Sequence, residues 1–218
     1  GGTSLQITSD DADFIRDSIR QVLTTLAISV AVVVSVIFLF LTSVRATIVP
    51  AVTIPIALVG ACAGIAMAGF SINILTLFAL ILAIGLVVDD AIVVLENIQR
   101  RVEEGDDPKE AARAGANQVF FAVVSTSAVL ISVFVPLSFL EGEIGKLFRE
   151  FGFTLAISVA LSTFVALSLC PVIASRVLKK GMNSGRFSKA VTSATDSMAR
   201  GYQSLLTRAI QVPIITLA

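Results

Sequence analysis

Histidine is absent from the 218 residues, which removes the commonest metal ligand and the commonest general base together. Cysteine is nearly absent. Cys62 and Cys170 both fall in apolar runs, where a thiol serves as a small packing residue and makes a poor start for a disulfide or metal site. Charge is scarce: Asp, Glu, Lys and Arg make up 15% of the chain, whereas a soluble domain carries about a quarter. Net charge is zero and the basic residues are not gathered on one face, so nothing points to nucleic acid. The chain begins Gly1-Gly2 without Met or a signal-peptide pattern and stops at Ala218 inside an apolar run, which reads as a piece of a longer polypeptide.

Apolar sequence fills the space that charge leaves. The chain is 56% hydrophobic with a mean hydropathy of +0.92. Residues 46–88 carry no charged side chain over 43 positions, and 114–140 add another 27. Runs of that length exceed what a soluble core helix needs and imply a polytopic membrane protein. Residues 30–36 are rich in Val and would favour a strand in water. In lipid the backbone must satisfy its own hydrogen bonds within the segment, so a helix is expected there as well.

The expected fold is an all-α membrane helix bundle. It has five complete transmembrane helices at about 23–41, 48–68, 74–94, 119–137 and 153–172, a partial sixth, and an amphipathic surface helix. Residues 1–22 form an outward-facing lead-in with a short strand-like alternation, Leu5 and Ile7, then N-cap residues at Ser9 and Asp10. Residues 23–175 are the bundle. In the second span Pro50 and Pro55 sit near the expected start, and Gly60, Ala61 and Gly64 allow close helix approach. A polar connection over 97–118 has a helix of its own opening at Asp107-Pro108 with Glu110 three residues after the cap, and 141–150 reads as a short loop. Within 176–204, Phe187, Val191, Ala194, Met198 and Tyr202 share one helical face, suited to lying along a membrane surface. Residues 205–218 start the partial span.

Eleven Lys and Arg fall on the Arg45, Arg100 and Lys179 side, against Arg16, Arg20, Lys146 and Arg149 on the other. The positive-inside rule places the first side in the cytoplasm.

The most informative stretch is Gly85-Leu86-Val87-Val88-Asp89-Asp90-Ala91-Ile92-Val93-Val94-Leu95-Glu96-Asn97. As a helix it sets Asp89 roughly 24 Å from Asn73 and roughly 16 Å from Arg100, well inside a hydrocarbon core of about 30 Å. An ionisable group there costs at least ~2.5 kcal/mol and is a functional candidate by default. Adjacent helix positions diverge by about 100°, so at least one of the two must face other helices. Two carboxylates this close in low dielectric cannot both ionise cheaply and titrate as a coupled pair. The five spans contain no Lys or Arg, so a cationic partner inside the membrane comes from outside this chain. A carboxylate pair that gains and loses protons as such a cation comes and goes is a proton-coupling device. Glu96 is a lesser candidate, placed to reach water or to pair with Arg100 at i+4. Gly85 is expected to permit close packing beside the pair.

Other chemistries fit less well. Intramembrane aspartyl proteases need acids from separate helices facing one another, and no second acid appears in the other spans. A Mg²⁺ or Ca²⁺ site wants around six oxygens. A ring of acids in a channel would need symmetric assembly.

The same stretch resembles the fourth transmembrane helix of resistance–nodulation–division (RND) efflux pumps, nearest the hydrophobe/amphiphile multidrug exporters of Gram-negative inner membranes. Phe38-Leu39-Phe40-Leu41 before Arg45-Ala46-Thr47, Pro50 and Pro55, Phe70-Ser71-Ile72-Asn73 with Leu75-Thr76, and Pro108-Lys109-Glu110-Ala111 fit too. The likeness covers essentially the whole chain, from the second helix into the early seventh. It implies a proton/substrate antiporter and no enzyme, driven by the proton-motive force without a cofactor. It further implies a homotrimer with a periplasmic adaptor and an outer-membrane channel. Asp89 and Asp90 would be the proton-relay acids, with a lysine partner on a tenth helix outside this chain. Metal-exporting relatives usually lack the adjacent pair, which favours organic substrates. The drug-binding porter domains would also lie outside, so the isolated piece would not transport. The rival readings are a non-transporting helical membrane module and a related lipid- or protein-export component of the same fold.

Overall fold

The computed structural model describes residues 11–71, 73–179, 200–204 and 207. Five helices make up nearly all of it: α1 (Asp11–Leu41), α2 (Val44–Met67), α3 (Ile74–Glu104), α4 (Pro108–Phe134) and α5 (Gly142–Val177). A 3₁₀ turn over Val135–Phe139 joins α4 to α5, and no strand occurs among the described residues. Each of the five helices contains a stretch long and apolar enough to cross a bilayer. Many large apolar side chains, Val32, Phe40, Val59, Phe121 and Phe164 among them, point outward, as a lipid-facing surface requires. The expected strand end before Thr8, most of the amphipathic helix and most of the partial sixth span lie outside the described residues.

Local chemistry places the helix ends. Ser43 caps α2, its Oγ accepting from the Ala46 N–H at 3.4 Å. α3 opens with a reciprocal capping box: Asn73 Oδ1 accepts from the Thr76 N–H at 2.9 Å and Thr76 Oγ1 accepts from the Asn73 N–H at 2.8 Å. It ends at Gly105, whose φ of 113° lies in the left-handed region that favours glycine. Asp107 then caps α4 with Pro108 in its first turn, as the sequence led one to expect.

Three boundaries differ from expectation. The stretch 97–118 is no separate connection: α3 continues through Asn97 to Glu104 and α4 runs unbroken from Pro108. Hydropathy marks where a helix leaves lipid, whereas Gln99, Arg100, Arg101 and Glu103 are good helix formers that carry the backbone on into water. The stretch 141–150, expected as a loop, supplies the first turns of α5, which reaches 36 residues, or about 54 Å. Finally, Pro50 and Pro55 are interior, because the Ser43 cap starts α2 before both of them. Each removes a backbone donor inside the helix, which neighbouring helices in a bundle tolerate.

α5 and α3 cross at the centre, with α2 and α4 on their flanks and α1 along the α2–α3 edge. Small residues set the spacing. A Cβ at Gly64 of α2 would stand 2.7 Å from Ile157 Cγ2 of α5, and one at Gly115 of α4 would stand 3.1 Å from the Ile98 Cα of α3. At the Asn73 end, Phe70 stacks on Phe153 with centroids 5.6 Å apart, and Asn73 Nδ2 donates to Glu150 Oε2. The cap residue therefore also ties α3 to α5. Asn73→Ala removes both roles, and is expected to lower the stability of the full-length parent by about 1–2 kcal/mol. Thermal unfolding of the purified protein in detergent measures it, and a shift confined to experimental error would contradict the cap assignment.

Candidate functional site

The central helix α3 is wrapped on every side but one. Its exposed positions, Phe78, Leu82, Gly85, Asp89, Val93 and Glu96, recur every three or four residues and form a single open stripe. Every position between them is buried or half-buried. The adjacent aspartates are divided by this geometry. Asp89 lies on the open stripe, and Asp90, one position on, is 8% exposed and faces α4 and α5. They do not confront each other across a shared water, which is the arrangement a two-aspartate protease would require.

Asp90 is held by hydroxyls. Its Oδ2 accepts from Ser127 Oγ of α4 at 3.3 Å and from Thr163 Oγ1 of α5 at 3.2 Å. Thr163 Oγ1 and Ser127 Oγ are themselves 2.6 Å apart. Each hydroxyl also has a carbonyl of its own helix in reach, Val123 O at 2.8 Å and Val159 O at 2.9 Å. A hydroxyl has one proton, so the pair cannot satisfy every acceptor at once. With an ionised carboxylate both protons are drawn towards Asp90, tying three helices together. With a neutral acid, one hydroxyl can accept from Asp90 while the other bonds back to its own helix. The protonation state of one carboxyl thus decides how α3, α4 and α5 are cross-linked.

Two further contacts seat α5 against the α3 backbone around this point. Ser162 Oγ donates to Val87 O at 2.9 Å, and the Cys170 thiol lies 3.7 Å from Ala91 O. Both are possible because α5 presents small side chains there, and Cys170 is a buried packing residue as its setting suggested.

Two expectations need correction. Among the described residues Gly85 makes no close helix contact. A Cβ built on it meets nothing within 4 Å, because Gly85 lies on the open stripe one turn from Asp89. Glu96 does not pair with Arg100. The Arg100 guanidinium donates to Asn97 Oδ1 at 2.8 Å and lies 4.0 Å from Glu104, so it turns towards its own helix end and leaves Glu96 on the stripe. Asn97 in turn joins α3 to α4 through Gly115 O at 2.8 Å.

Ser127 and Thr163 were not anticipated. The signal available for them was weak: each is one of many Ser and Thr residues in apolar helices, and only the mutual rotation of α3, α4 and α5 selects these two.

The AcrB/AcrD/AcrF family model matches residues 1–218. Proteins named multidrug resistance protein MdtC are among the similar sequences. That of Edwardsiella ictaluri is 48% identical over 203 residues, which is 93% of this chain and 20% of that protein. Those of Salmonella paratyphi C and Klebsiella pneumoniae (strain 342) are each 49% identical, over 175 and 177 residues, covering 80% and 81% of this chain but 17% of each relative. The chain spans about a fifth of the length of the curated relatives it matches.

Proposed function

The chain belongs to the AcrB/AcrD/AcrF family, and from that premise we propose that it is the proton-coupling part of the membrane domain of an RND-type exporter. The whole protein would exchange protons for hydrophobic or amphiphilic compounds, in keeping with the multidrug resistance named for its relatives, and it would catalyse no covalent reaction. The observation that carries the reading is the split of the pair: Asp90 buried in a hydroxyl bracket shared by three helices, Asp89 on the unoccupied stripe of the same helix.

A buried carboxylate must be neutral or paired. Asp90 obtains partial compensation from Ser127 and Thr163. Asp89 obtains none from α2, α4 or α5, and the stripe is where a cation on a helix outside this chain would meet it. Resemblance to the RND pumps supplies that cation as a tenth-helix lysine. Protonation of the pair releases the lysine and relaxes the hydroxyl bracket in one event, giving α3 two stable settings against its neighbours. Moving one proton charge through 100 mV releases about 2.3 kcal/mol, enough to bias such a two-state element about fifty-fold. In this reading the Asn73 end faces the periplasm and the Arg100 end the cytoplasm, in the inner membrane of a Gram-negative cell. The parent works as a homotrimer with a periplasmic adaptor and an outer-membrane channel.

The test is proton-coupled efflux by the full-length parent, with each aspartate replaced in turn by asparagine at matched membrane abundance. Undiminished export in both variants would overturn the reading.

A further inference from the structure

α5 carries a polar residue at every fourth position on its way to Asp90: Glu150, Thr154, Ser158 and Ser162, followed at once by Thr163. Thr154, Ser158 and Ser162 are 0%, 0% and 2% exposed, and the last of them reaches the α3 backbone at Val87 O. The same face continues beyond Asp90 as Ala166, Cys170 and Ala174, equally small and buried but without a hydroxyl. Hydroxyls thus line only the half between Asp90 and the Asn73 end. Close packing does not explain this, because Ala serves it as well as Ser. Thr154 Oγ1 is a buried hydroxyl with no hydrogen-bond partner, an arrangement that costs about 1–3 kcal/mol and that valine would avoid at the same shape. The ladder begins at Glu150, which is half-buried and accepts from Asn73 Nδ2 and from Ser71 Oγ at the α2–α3 turn.

We propose that this face of α5 is the route by which protons from the aqueous phase at the Asn73 end reach Asp90. The inference rests on the reading of Asp90 as a proton acceptor. A hydronium ion gives up its proton at Glu150. Each hydroxyl in turn accepts a proton on a lone pair and passes its own onward, and the last transfer converts the Asp90 carboxylate to a neutral acid, leaving water and unchanged hydroxyls behind. Successive rungs are about 6 Å apart along the helix, a gap one water molecule bridges. Ser158 now donates to Thr154 O at 2.7 Å and Ser162 to Val87 O. Beside Ser162, the packing bordered by Ala57 and Val87 leaves no space that a water molecule could enter. The route is therefore closed in this setting of the helices, and it opens when α5 moves against α2 and α3.

Few charged groups compete. Asp89 neighbours Asp90 on α3 and Cys170 lies further along α5. α4 faces Asp90 with Ser127, its Lys109, Glu110 and Arg113 lying in its first two turns, and α2 carries its one charge, Arg45, near its start.

The experiment uses the full-length parent in proteoliposomes, with an imposed pH gradient, an entrapped pH dye and a fluorescent amphiphilic substrate. Thr154→Val, Ser158→Ala and Ser162→Ala together are expected to slow proton-driven export at least tenfold, with Thr154→Ser nearly normal. Ser158→Cys, with the protein's other cysteines replaced by alanine, should react with a small thiol reagent added on the Asn73 side only during turnover. Wild-type turnover in the triple variant, or an actively exporting Ser158→Cys protein that stays unreactive, overturns the route. If the triple variant does not assemble, isosteric Thr154→Val decides: slowed export supports the route and unchanged export overturns it. Asp90→Asn in the same vesicles separates the two ideas. Loss of export there beside normal hydroxyl variants removes the route alone, whereas normal export by Asp90→Asn removes the proton-acceptor reading beneath it.

Discussion

Asp90→Asn in the full-length parent should reduce export to below about one hundredth of the wild-type rate, because an amide cannot take up and release the proton that an intramembrane acid exchanges. The substitution is close to isosteric. The Asn side-chain oxygen still accepts from Ser127 and Thr163, whose hydroxyls stand 3.3 and 3.2 Å from Asp90 Oδ2. Insertion and unfolding temperature should therefore change little while transport is lost, which separates this outcome from misfolding. Asp89→Asn should act on the same step by a different path. Its side chain lies on the open stripe of α3, where its charge has no hydroxyl bracket to share. On the proposed reading, its loss removes the attraction that would draw a cationic partner onto that stripe. Export rates at equal membrane abundance, together with thermal unfolding in detergent, measure both effects. Normal export by both variants would make the pair structural, and an Asp90→Asn protein that fails to insert would show that the carboxylate is needed for packing.

The second large effect is expected at Gly115. A Cβ there would meet Ile98 Cγ1 at 3.0 Å, Ile98 Cα at 3.1 Å and Ile98 N at 3.2 Å. Two of these three atoms belong to the α3 backbone, which cannot rotate out of the way as a side chain can. Gly115→Leu should push α4 away from α3, at a cost of about 1–3 kcal/mol for overpacking. A further ~1 kcal/mol follows if Asn97 Nδ2 loses its bond to Gly115 O. The same displacement carries Ser127, three turns along α4, away from Asp90, so export should fall more than the loss of folded protein explains. Gly85→Leu is the contrast. A Cβ at Gly85 meets nothing among the described residues, so any defect there reports a contact beyond them. Unfolding temperature and export measured on both variants give the comparison. A Gly115→Leu protein as stable as wild type would mean that the α3–α4 crossing is looser than the structure has it.

Much of this molecule could be read from sequence because the governing quantities are local. Apolar runs of 43 and 27 residues without charge specify membrane spans whatever the neighbours do. Asn73 and Asp107 specify helix starts through hydrogen bonds that reach only a few residues. The depth of Asp89 and Asp90 follows from helical rise alone. Rotation about the helix axis is not local. That Asp90 rather than Asp89 is buried, that Ser127 and Thr163 among many hydroxyls reach it, and that Gly85 and Glu96 lie on an uncovered stripe were all decided by how α3 settles against α4 and α5. The interior placement of Pro50 and Pro55, by contrast, follows from the local Ser43 cap. Hydropathy reports the solvent around a segment, whereas the facing of each side chain is set by close packing between segments distant in sequence.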